Sequence, residues 1–172
     1  MVRHTTLEQF TDHYTKRPRT DERDPALLVP DAVGVVLETA ATWLGWDRRP
    51  VLRDGNTWTP HKALRRVADH LLDHLTELEC RLAGLPSPAD HWHGRMVTTD
   101  ADLAWFTEVD LDEATSRLTR LATCYRARLG GLPADVLDER PDEATWTLRE
   151  VVHHVAGVAY YAKAMGPLGT PD

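Results

Sequence analysis

The sequence predicts an all-α protein, a four-helix bundle built from two pseudo-twofold helical hairpins, with a short N-terminal extension. Three observations predict it. Four segments carry apolar residues at spacings of three and four, and each is bounded by capping or turn residues. No stretch shows sustained period-2 alternation, so no sheet is expected. Residues 1–25 read as extension and linker, 26–166 as the bundle and 167–172 as a tail. At 172 residues, 42% hydrophobic and 27% charged, the chain can bury a core and remain soluble. That composition excludes disorder for most of its length.

The extension opens as a short polar helix, TTLEQFTDHY, and passes into TKRPRTDERDP, whose prolines and alternating charges cannot feed a core. The first bundle helix is expected from about Pro30 to Trp46, with Pro30-Asp31 at its start and Gly45 near its end. Its apolar stripe is Val33, Val36, Leu37, Ala40 and Leu44. The second helix follows Thr59, a natural N-cap with Pro60 at the first helical position, and runs to about Leu82. Leu64, Val67, Leu71, Leu75 and Leu78 form its buried face. A connection of about 25 residues comes next, a length that in compact domains marks a functional, crossover or partly disordered segment.

The third helix is expected from near Asp112 to just before Gly130-Gly131, with Ala114, Leu118, Leu121 and Tyr125 inward. The fourth follows Trp146-Thr147 and runs to about Met165, where Gly166-Pro167 stops it. Trp58-Thr59 and Trp146-Thr147 each open an amphipathic helix, close to half the chain apart. This internal repeat suggests the two-hairpin arrangement. The period is too long for a solenoid.

A formal net charge of -7 and a pI near 5.7 argue against a nucleic-acid binder, because phosphate contacts require a basic surface. No apolar run approaches the length of a membrane span, and the first residues lack a signal peptide's apolar region, so a cytoplasmic protein is expected. Cys80 and Cys124 are far apart in sequence and read as reduced thiols. Arginine far outnumbers lysine, as in proteins from GC-rich coding sequences.

The chain has nine histidines, and their placement matters more than their number. His70 and His74 are an i, i+4 pair, about 40° apart on one helix face beside the apolar stripe. His154 falls on the inward flank of the fourth helix, whereas His153 projects about 100° away and is expected outside. Three imidazoles from two helices can thus converge on one divalent ion, leaving positions open for water or substrate. Glu150, one turn before His154, is a candidate fourth ligand, orienting partner or general base. Asp69 and Asp73 project away from the histidine pair and are expected in solvent, although either could orient an imidazole across a turn. Arg65 and Arg66 are expected on a solvated face, with a clamp for an anionic substrate as the alternative. His91-Trp92-His93, in the long connection, is a candidate lid. Of Tyr160 and Tyr161, one is expected to pack and the other to face the pocket.

These residues resemble the DinB/YfiT-like superfamily of four-helix metalloproteins over roughly residues 27 to 165. Trp146-Thr147-Leu148-Arg149-Glu150 with His154 is similar to the helix that gives that superfamily its single histidine. Trp58-Thr59 and Lys62-Ala63-Leu64-Arg65-Arg66 with His70 and His74 resemble the helix that gives its two. The resemblance implies a divalent ion (zinc, nickel or iron) held by His70, His74 and His154. The order of the two motifs is reversed relative to the family pattern, as if the hairpins were permuted. Glu150 and His154 are also similar to the Glu-x-x-x-His of mycothiol-dependent isomerases, but Arg66 stands where that pattern has its third histidine.

The function expected is therefore that of a metal-dependent enzyme on a small-molecule substrate, by thiol S-transfer, isomerisation or hydrolysis. The resemblance implies a low-molecular-weight thiol such as mycothiol as co-substrate, in detoxification or secondary-metabolite tailoring. Glu150 is the candidate catalytic residue, and a homodimer is a candidate assembly. The alternatives are a non-enzymatic ligand-binding or stress-response module and a metal-free acid/base catalyst built on the same histidines. No Gly-rich phosphate loop, GxSxG or Cys-His pairing points to nucleotide use or covalent catalysis.

Overall fold

The computed structural model describes residues 17–88 and 94–168. The expected N-terminal polar helix and the His91-Trp92-His93 segment, the candidate lid, lie outside the described residues. Within them the protein is mostly helical, with one small two-stranded sheet.

Helix α1 spans Pro25–Ala41. The Asp24 side chain accepts a hydrogen bond from the Ala26 amide at 2.9 Å, and Pro25 takes the first turn, where its missing donor is harmless. The helix thus starts five residues before the expected Pro30, which lies inside it. Burial of Ala26, Leu28 and Val29 in that added turn offsets the one intrahelical bond that Pro30 cannot donate. A 3-10 turn, Thr42–Gly45, follows and shifts the helical phase. Consequently Trp43 is fully buried, while Leu44, expected inward, is 42% exposed.

Strands β1 (Val51–Arg53) and β2 (Asn56–Trp58) pair antiparallel, with Val51 opposite Trp58, so the expectation of no sheet is corrected. Three residues per strand are too few for alternation to register. The signal lies in the turn: Asp54 and Gly55 both adopt positive φ, as a two-residue hairpin turn requires.

Helix α2 covers Pro60–Leu82 as expected, with the Thr59 side chain accepting from the Lys62 amide. The long connection contains a 3-10 turn, Ala101–Leu103, and is pinned to α2 by Arg65. That guanidinium donates to both oxygens of buried Asp102, at 3.0 and 2.6 Å, and to the carbonyls of Arg95 and Val97. The expectation of a solvated Arg65 is therefore corrected. Helix α3, Glu108–Leu129, begins before the expected Asp112, because Thr107 and Asp110 form a reciprocal capping box. After a short helix α4 (Ala134–Asp138), the fourth segment is broken into α5 (Leu148–Val155), a 3-10 turn (Ala156–Val158) and α6 (Ala159–Met165). One continuous helix was expected there.

The packing departs from the two expected hairpins. Helix α1 packs mainly on α3 and on α5–α6, while α2 packs on α3 and on α5–α6. Successive long helices are thus not the principal partners of one another. Long connections release sequence neighbours from antiparallel pairing, which short loops would enforce. The core between the helices holds Val29, Val36, Val67, Leu71, Leu118 and Val152. Two buried side-chain bonds tie it: Trp43 Nε1 to the Gly166 carbonyl at 2.7 Å and the Tyr125 hydroxyl to the Leu71 carbonyl at 2.8 Å. Contrary to expectation, Pro25–Gly45 is long and apolar enough, by length and composition, to cross a membrane. Here its apolar face packs into the core.

Candidate metal centre

The three predicted histidines meet. One ligand nitrogen from each of His70, His74 and His154 lies within 4.8 Å of the others. Their ring centroids form a nearly equilateral triangle of 4.7, 4.9 and 5.0 Å. His70 and His74 are aligned by helical spacing on α2, as the i, i+4 rule demands. His154 is brought opposite by α5, whose start is fixed by the Thr147–Glu150 capping box. The cluster can hold a metal ion.

The chemistry of the donors fits one. Burial, then the neighbouring His74 and His154 rings and the Arg66 and Arg95 guanidiniums, keep the pKa of His70 well below 6.5. Its imidazole is therefore neutral near pH 7, the form that ligates. His74 Nδ1 lies 2.7 Å from Glu77 Oε2, which leaves Nε2 as its ligand atom. A carboxylate behind a ligating imidazole fixes the ring and makes it a better donor. Burial would raise the Glu77 carboxyl, but the His74 hydrogen bond and the Arg81 charge hold it below the usual range. Glu77 is the site residue that sequence reasoning missed. Its signal was available: it follows His74 by three residues on the same face. Trp146 sets its edge against His154, with centroids 5.1 Å apart.

Glu150 is engaged at the start of α5. One oxygen accepts from the Thr147 amide and the other from Arg140 Nη2 at 2.9 Å. Burial opposes the shift, but these two partners hold its carboxyl below the usual range. A base role requires it to leave both.

Three other expectations need correction. His153 is not outside: its side chain is only 4% exposed, with Nε2 3.9 Å from Asp21 of the linker. Arg66 is not solvated either. It is 2% exposed, bonded through Nη1 to Asp69 and through Nη2 to the Tyr161 hydroxyl at 3.2 Å. Asp69 is thereby an ion-pair partner rather than a solvent group. Tyr161 in turn lies against His70, with ring centroids 5.9 Å apart, whereas Tyr160 is exposed and bonds Asp54.

A cavity of about 360 Å³ opens elsewhere, between α2 and α3, and none of the three histidines lines it. Comparison with models of protein families, with curated proteins and with solved structures gives no match.

Proposed function

We propose that the chain is a metal-dependent enzyme acting on a small molecule, with one divalent ion held by His70, His74 and His154. The ring of contacts linking α1, α3, α2 and α5–α6 supports a four-helix bundle as its scaffold. The carrying observation is the convergence of three imidazoles from two helices, one of them oriented by a carboxylate. Zinc, nickel or iron suits imidazole donors. Such an ion, when bound, polarises an oxygen or lowers the pKa of a bound water or thiol. Neutral ligands leave its full charge available for that purpose.

The resemblance to DinB/YfiT-like metalloproteins supports thiol S-transfer, isomerisation or hydrolysis, with mycothiol or a similar thiol as co-substrate. Glu150 would serve as general base only if it is released from Arg140 on substrate binding. Metal content of untagged protein, together with the melting temperature with and without chelator, tests the reading. One ion per chain and a chelator-sensitive melt support it. Metal-free protein that shows no thermal shift with any divalent ion would rule it out.

A further inference from the structure

The face of the histidine cluster toward α6 carries a second polar pair. Arg66 is buried on α2 and donates to the Tyr161 hydroxyl, while its guanidinium carbon lies 5.2 Å from the centre of the same ring. The phenol oxygen is thus held as an acceptor. Among the described residues, its own proton is donated to no other group. The Tyr161 ring touches His70 and is braced from behind by fully buried Trp58, at 5.8 Å between centroids. A fixed donor with an unused proton thus stands beside His70, a candidate ligand.

We propose that Tyr161 is a substrate-binding residue of this site, donating its hydroxyl proton to an oxygen of a carboxylate-bearing ligand, with Arg66 as the residue that positions it. The inference rests on the metal reading above and adds to it the class of ligand. Charge selects that class. An ion on neutral imidazoles would add two positive charges beside that of the Arg66 guanidinium. Asp69, paired with Arg66, and Glu77, bonded to His74, carry one negative charge each and offset part of this. The remaining excess favours an anion over a neutral ligand.

Cobalt(II) loading tests this, because the visible absorption reports coordination without turnover. Acetate should change the spectrum of the wild-type protein saturably, and neutral acetamide of the same size should not. Tyr161→Phe should take up cobalt with the parent spectrum in the absence of acetate, yet need about tenfold more acetate for half-saturation. An unchanged midpoint in Tyr161→Phe, or equal responses to acetate and acetamide in the wild type, would overturn the proposal. The wild-type comparison stands even if the variant fails to fold. If the wild type takes up no cobalt at all, the metal reading itself fails, an outcome distinct from cobalt uptake without acetate selectivity.

Discussion

The histidines at this site divide by one step of helical phase. His154 faces His70 and His74, while its neighbour His153 is buried against the linker beside Asp21. Only His154 stands in the cluster that could hold an ion. We therefore expect His154→Ala to abolish metal binding, measured by metal analysis. His153→Ala should retain the ion but lose stability by about 1 kcal/mol, seen by denaturant unfolding. Glu77 supplies a second test at this scale. Because it orients His74 without ligating, Glu77→Gln should weaken metal affinity by roughly 10- to 100-fold while the metal-free melt stays near that of the parent. Calorimetric titration of the metal distinguishes this from loss of a ligand. An unaltered affinity would mean that the His74–Glu77 bond does not hold the ring.

The start of α2 is the element with the most at stake. Lys62 is buried there, its Nζ bonded to the Thr57 carbonyl at 2.8 Å and to the Thr98 hydroxyl at 3.0 Å. It ties the hairpin and the long connection to the helix. Burial first, then the nearby Arg65 charge, lowers its pKa from 10.5 to about 8. The sign of the consequence follows from proton counting. Between about pH 8 and 10.5 the unfolded chain holds this proton and the folded one does not, so folding becomes more favourable as pH rises through that window. Below pH 8 the cost of burying the charge is fully present. The melting temperature of the wild type, relative to Lys62→Met, should therefore rise from pH 7.5 to pH 10. A constant difference would show that the ammonium is not desolvated. At the start of α5, Thr147→Ala removes the capping acceptor and should cost about 1 kcal/mol. His154 sits two turns later on the same helix, so metal affinity should fall with it.

For the molecule as a whole, the ion would join α2 to α5, helices separated by the long connection and all of α3. Metal should then stabilise the fold by mass action, by about 2.7 kcal/mol at a free concentration one hundred times its dissociation constant. His70→Ala and His154→Ala combined should cost less than the sum of the single losses in metal-loaded protein, because the first already dismantles the site. Additive losses in a thermal-melt cycle would show that the two residues do not share an ion.

Much of this architecture was legible in the chain because it is local. The α2 stripe, its Thr59-Pro60 start and the Thr147 start of α5 follow from spacings of three or four residues, and all are found. The same periodicity put His70 and His74 on one face and His154 on an inward flank. Errors arose where short-range signals were too brief or competed. The β1–β2 hairpin has three residues per strand, Asp24-Pro25 outcompeted Pro30-Asp31 as a helix start, and the 3-10 turns reset the phase behind Leu44 and split the last helix. Helical projection gives the direction of a side chain but not what lies in that direction. For that reason burial of His153 by the linker and of Arg66 beneath Tyr161 required the assembled fold. The sequence by itself determined where the four main helical segments lie and which histidines can share a face. The tertiary structure alone decided which helices pack together, because long connections leave pairing to the fit of apolar faces rather than to chain continuity.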